Sequence, residues 1–200
     1  MTRTGVWVYV LGMLCLVSTV HLNAQEEASE AFVKGSRYSL LDAEFYTAVH
    51  EGRRSTTFNM NAGVGKYLWN RVGLYGIATF LRNSGYTLEE ISPSLEQMDA
   101  DAYGLSFSGL LRWHALQWDR CSLFIDGSAG GIYSDKPFPP NGTQWNYVLR
   151  SGAGLTYDLG KKIHLTAGYR FMHISNGRRV GDRNPAYDSH CGFLGIIFQN

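Results

Sequence analysis

His173 and Ser175 lie two residues apart in "GYRFMHISNG" (168–177), a spacing that puts both side chains on one face of an extended strand. An imidazole beside a hydroxyl is the beginning of a nucleophilic site, because the ring takes the hydroxyl proton as the oxygen attacks a carbonyl. Such a pair also needs an acid that orients the ring and stabilises its charged form. Asp188, at the start of the next apolar segment, is the acid expected from a neighbouring strand.

The residues around the pair divide into supporting and incidental ones. Arg178, Arg179 and Arg183 crowd the loop after Ser175, and their forked guanidinium groups suit phosphates. An ordinary solvated loop is the competing reading of these arginines. His190 shares the strand parity of Asp188 and is read as a structural or supporting group, not as a second base. His50, His114 and His164 have no partner pattern. The chain has no CxxC, no HExxH and no P-loop, so neither a metal nor another cofactor is expected.

The elements that must position this pair read as strands. Tyr103, Leu105, Phe107, Leu111 and Trp113 alternate with Gly104, Ser106, Ser108, Arg112 and His114, which is the period of a half-buried strand. The same alternation recurs in eight segments, at about 37–49, 56–66, 71–81, 103–115, 120–133, 145–157, 162–175 and 188–198. Their connections are tight at "KYLWNR", "ALQWD" and "DLGKK" but long at 82–102, 134–144 and 176–187. Short turns on one side, long loops on the other and an even strand count are the pattern of an up-and-down antiparallel transmembrane β-barrel. Tyr, Trp and Phe near the segment ends suit membrane interfaces. The competing all-β fold is a soluble sandwich or lipocalin-like barrel with the apolar face inward. The Gly- and Ser-rich polar face, with Arg112, Asp126, Arg150, Arg170 and Asp42 or Glu44, favours the narrow interior of an eight-stranded membrane barrel.

Composition agrees with a single exported domain. Of the 200 residues 44% are hydrophobic and only 18% charged, and the net charge of +1 with no basic block gives no support to nucleic-acid binding. Arg3, the apolar stretch "GVWVYVLGMLCLVSTV" and a small residue at Ala24 read as a cleaved signal peptide over 1–24, leaving a barrel domain over 25–200. A retained membrane anchor is the alternative, since the run is nearly long enough to span. Cleavage leaves Cys121 and Cys191, which the strand map puts on non-adjacent strands as free thiols.

Strand parity then says which way the reactive pair points. Ile163, Leu165, Ala167, Tyr169 and Phe171 form the apolar face of the seventh segment, and His173 and Ser175 continue it. His164, Thr166, Gly168 and Arg170 take the lumen face. The pair therefore faces lipid, at the end that opens into a long loop, which is the outer side of the membrane. The competing reading is that the strand has already left the hydrocarbon and the two residues merely begin a wet loop.

These residues resemble the lipid A 3-O-deacylases of the PagL type, which are outer-membrane acyl ester hydrolases. The likeness rests on "GYRFMHISNG" (168–177), on "RNP" and "DSH" between 183 and 190, and on a glycine-containing apolar strand running to the end. It implies a location in a Gram-negative outer membrane, with the site facing the outer leaflet among outer-membrane lipids. It implies His173 as general base, Ser175 as nucleophile, and Asn176 as donor to the oxyanion, with the backbone amides of Asn176 and Gly177 assisting. The implied substrate is lipid A of lipopolysaccharide, which would lose an ester-linked acyl chain, the 3-O chain, through an acyl-serine. The family's acid is glutamate, and the loop from Asn176 to Tyr187 has none. Asp188 takes that position with a shorter side chain, and Asp182 is the reserve. The residues alone leave open a phospholipid or other acyl ester on the same site, and a non-catalytic structural or adhesion barrel. They also leave open the acyl position, the chain length and the copy number, a homodimer included.

Overall fold

Side chains that alternate with period two give a strand two unlike faces, and a bilayer offers the backbone no water, so strands must pair until the sheet closes. The computed structural model describes residues 31–49, 53–91, 94–177 and 185–200. Its strands are β1 (Arg37–Ala48), β2 (Arg53–Trp69), β3 (Val72–Ile91), β4 (Ser94–Asp99), β5 (Ala102–Trp118), β6 (Cys121–Ser134), β7 (Trp145–Gly160), β8 (Ile163–Ser175) and β9 (Tyr187–Gln199). Sequential neighbours pair antiparallel around the wall, and β1 pairs with both β2 and β9, so the sheet closes on itself. Eight strands make the barrel. Among the described residues β4 pairs only with the far end of β3.

The long loop expected over 82–102 is therefore a correction. β3 continues to Ile91 and β4 folds back against it, while β2 extends to Arg53 to pair with Thr87. Pairing outlasts the apolar alternation because backbone groups remain obligatory hydrogen-bonding partners beyond the hydrocarbon. At the opposite end β2–β3, β5–β6 and β7–β8 are joined by tight turns, with Arg71, Asp119, Lys161 and Lys162 at positive φ. Both chain ends of the described barrel meet there, where Asn200 N–H donates to the Arg37 carbonyl at 2.9 Å.

The outer wall is apolar. Leu41, Val64, Leu74, Phe107, Leu111, Leu149, Leu155 and Leu194 are exposed on it. Trp69, Trp113 and Tyr157 sit near the tight-turn end, with Tyr103, Tyr133, Trp145 and Tyr147 near the other, as the two aromatic girdles of a membrane barrel require.

The lumen is more apolar than the expected mixture of Gly, Ser and charges. At its middle Arg170 bonds Asp126 at 2.9 Å, Asp42 at 3.1 Å and Glu44 at 2.5 Å, and Arg112 bonds Asp126 at 2.7 Å. Above this layer Ile132, Val148, Met172, Ile174 and Tyr187 pack with Phe138 from the loop between β6 and β7. Below it Phe32, Tyr38, Tyr67, Tyr75 and Ile197 form a second cluster. Charges are thus kept to one layer where each has an opposite partner, and the ends exclude water from it. The signal peptide expected over 1–24, and the anchor that competes with it, lie outside the described residues. Cys121, half-buried on β6, and Cys191, buried on β9, are free.

Candidate active site

β8 ends at Ser175 with His173 and Ser175 on its outward face, followed by Asn176 and Gly177. Gly177 has φ +67, a left-handed conformation that glycine adopts at no steric cost, and it turns the chain two residues after Ser175. Across the sheet, β8 pairs with β9 so that His173 stands opposite Asp188. On the other side β7 places Tyr147 opposite Ser175 and Leu149 opposite His173.

This register brings three side chains into one hydrogen-bonded row. His173 Nδ1 lies 2.6 Å from Asp188 Oδ1, and His173 Nε2 lies 2.9 Å from Ser175 Oγ. With the carboxylate as acceptor, Nδ1–H donates to Asp188, so Nε2 is left as the acceptor for the Ser175 hydroxyl. The His173 and Asp188 side chains are 33% and 23% exposed, and Ser175 is 8% exposed. The row is therefore neither sealed in the lumen nor freely solvated. Chemically, it can move a proton from a hydroxyl to an imidazole whose charge a carboxylate then balances.

A depression of about 550 Å³ opens beside Ser175 and His173, bordered by Tyr147 and Leu149 of β7 and by Ala129 and Gly131 of β6. A larger one, about 730 Å³, lies elsewhere on the wall, and its lining from Ser39 and Leu41 to Phe107 and Gly109 carries no acid or base. Among the described residues, no three His, Cys, Asp or Glu side chains are grouped to hold a metal.

The other site residues read from the sequence fare differently. Asn176, beside Ser175, is buried. Arg178, Arg179, Arg183 and the reserve acid Asp182 lie outside the described residues, as does His50. His190 is exposed on β9, hydrogen-bonded to Tyr169 and in ring contact with Phe171, so its partner is an aromatic neighbour and not Ser175. His114 is a correction: it is buried, with Nε2 2.7 Å from Tyr67 Oη and Nδ1 2.8 Å from Ser122 Oγ, and its ring stacks on Phe32 at 3.8 Å. Sequence reasoning missed this because Phe32 precedes the first strand. It also missed Gly131, Trp145 and Tyr147, whose outward parity was visible but whose nearness to Ser175 depends on register.

With this geometry in view, the chain can be set beside known proteins. A family model described as lipid A 3-O-deacylase (PagL) matches residues 16–196. No curated protein matches the sequence. Among solved structures, the outer-membrane enzyme PagL aligns with TM-score 0.56 at 18% identity, over 78% of this chain and 97% of its own. Neisserial surface protein A aligns with TM-score 0.60 at 15% identity, over 84% of this chain and 100% of its own. At these identities the structural matches speak for the barrel alone, because one fold hosts many functions.

Proposed function

Because this chain belongs to the lipid A 3-O-deacylase (PagL) family, we propose that it is an outer-membrane serine esterase that removes the 3-O acyl chain of lipid A. The observation that carries the reading is the hydrogen-bonded row Ser175–His173–Asp188 on the lipid-facing wall. A purely structural barrel has no use for three polar side chains there, since polar groups on that face cost free energy.

In this mechanism His173 Nε2 takes the Ser175 proton while Oγ bonds to the ester carbonyl carbon. The oxyanion that forms is met by the Asn176 side-chain amide and the backbone amides of Asn176 and Gly177. The carbonyl–oxygen bond to the sugar then breaks, and the imidazolium returns its proton to the departing sugar oxygen. Water next attacks the acyl-serine, giving up a proton to His173, which passes it to Ser175 Oγ as the fatty acid leaves. Asp188 holds the ring and balances its charge throughout.

Placement at the long-loop end supports a site that meets the outer leaflet, where the ester bonds of lipopolysaccharide lie close to the head groups. The test is mass spectrometry of lipid A from cells expressing the chain or its Ser175→Ala variant. Loss of one hydroxyacyl mass with the wild type only is the expected result. The same loss with both would remove Ser175 from the reaction. Unchanged lipid A in both, with a folded barrel, would favour another acyl ester or a non-catalytic role.

A further inference from the structure

Asp188 sits where a strand is least firmly held. It is the second residue of β9. Pairing with β8 ends at Ile174 and Tyr187, and pairing with β1 ends at Ala48 and Ser189, after which the Val49 N–H donates to the Asp188 carbonyl at 3.0 Å. Terminal pairs of a ladder open more readily than central ones. The aspartate side chain is also short, so a backbone shift here passes directly into the 2.6 Å bond to His173.

The residue before it is anchored from the other side of the wall. Tyr187 points into the lumen and is buried, and the ring of Phe138 packs on it with centroids 4.9 Å apart. Its hydroxyl lies 2.9 Å from Thr57 Oγ1 on β2, two strands away. Thr57 Oγ1 in turn lies 2.6 Å from Asn83 Oδ1 on β3, and Asn83 Nδ2 donates to the Ala100 carbonyl at 2.7 Å. That last bond fixes the amide, so Oδ1 accepts and takes the Thr57 hydrogen. The Tyr187 hydroxyl therefore donates to Thr57 Oγ1. Thr57 and Asn83 are as buried as Tyr187, and a buried network with its bonds made is rigid.

We propose that Tyr187 is a positioning residue for Asp188: its hydroxyl, tied through Thr57 to Asn83, holds the start of β9 where the short carboxylate meets His173. This rests on the Ser175–His173–Asp188 row carrying out ester hydrolysis. A side chain inside the barrel thereby sets the geometry of a reaction outside it. Because Tyr187 faces the lumen, its influence passes through Asp188 and is lost once Asp188 no longer acts.

The test uses the full chain in detergent with lipid A and with a nitrophenyl ester, and heat-dependent gel mobility checks folding. Tyr187→Phe keeps the ring and removes the hydroxyl, and kcat is expected to fall on the order of tenfold with KM unchanged. Thr57→Val breaks the same chain of bonds from β2 and is expected to act alike. Ile132→Val, in the same lumen cluster, is expected to lower the unfolding midpoint and leave kcat alone. In an Asp188→Asn background, adding Tyr187→Phe is expected to change kcat by no more than about twofold, since the residue it positions is already silent. If that background is too slow to follow, the kcat-against-KM split beside Ile132→Val decides. Wild-type kcat in folded Tyr187→Phe and Thr57→Val, a loss carried by KM, an undiminished loss in the Asp188→Asn background, or an equal loss in Ile132→Val overturns the inference and leaves the Ser175 reading intact. Failure of both variants to fold overturns it too, by making the chain of bonds structural. A wild type active on the nitrophenyl ester but not on lipid A overturns that substrate alone, and the ester series still decides. Inactivity on both overturns the esterase reading and the inference together.

Discussion

At the scale of single residues, Asp188 is the informative position. Its carboxylate reaches His173 from the adjacent strand at 2.6 Å, although it is one methylene shorter than the glutamate the family resemblance implies. The cross-strand register makes up the length, because His173 and Asp188 are direct partners and opposed Cβ atoms lie within about 5.5 Å. Asp188→Asn keeps the shape but not the charge, and its amide favours the wrong tautomer of the ring. Fatty-acid release by this variant is expected to fall in kcat on the order of 10³-fold or more with little change in KM. Wild-type turnover in Asp188→Asn would take Asp188 out of the mechanism.

At the scale of elements, two segments have jobs their sequence does not advertise. β8 serves both sides of the wall: His173 and Ser175 face out while Arg170, on the opposite parity, anchors the lumen network. The segment before β1 turns back into the tight-turn end, where Phe32 is buried against Tyr38, Tyr67 and His114. Its backbone is also tied down, with Arg71 N–H donating to the Phe32 carbonyl at 2.8 Å. Phe32→Ala is expected to cost about 3 kcal/mol. Urea unfolding should show this as a lower midpoint with unchanged slope. Because this cluster lies at the opposite end from Ser175, esterase activity of the folded variant should be unaltered, and a loss there would reveal coupling along the barrel.

At the scale of the whole molecule, the lumen ion network and the proposed catalytic row lie on opposite sides of one sheet. Three arginines, Arg112, Arg150 and Arg170, share the lumen with Asp42, Glu44 and Asp126. Removing Arg170 would leave three carboxylates with one principal cation gone. Arg170→Leu is expected to destabilise the barrel by about 3–5 kcal/mol, measured by the same urea unfolding. Barrels that still fold should retain the Ser175–His173–Asp188 row. Stability equal to wild type would mean that the carboxylates find other compensation.

How much was legible in the sequence follows from how local each property is. Strand parity is a property of a few consecutive residues, so the outward direction of His173 and Ser175 and the inward direction of Arg112, Asp126, Arg150 and Arg170 could be read directly. The eight wall strands and the tight turns between β2 and β3, β5 and β6, and β7 and β8 were legible for the same reason. The β3–β4 hairpin was not, because its pairing persists where apolar alternation has ended. Nor was the apolar filling of the lumen, since Leu110, Ile132, Val148 and Ile174 are hydrophobic on the inward parity and look like breaks in the pattern. Only pairing between strands decided which side chains became neighbours. It set Asp188 across from His173, brought Gly131 and Tyr147 into the row of Ser175, and drew Phe32 beneath His114. Those contacts depend on register between neighbouring strands and on the segment before β1 reaching His114, and neither is settled by any one segment.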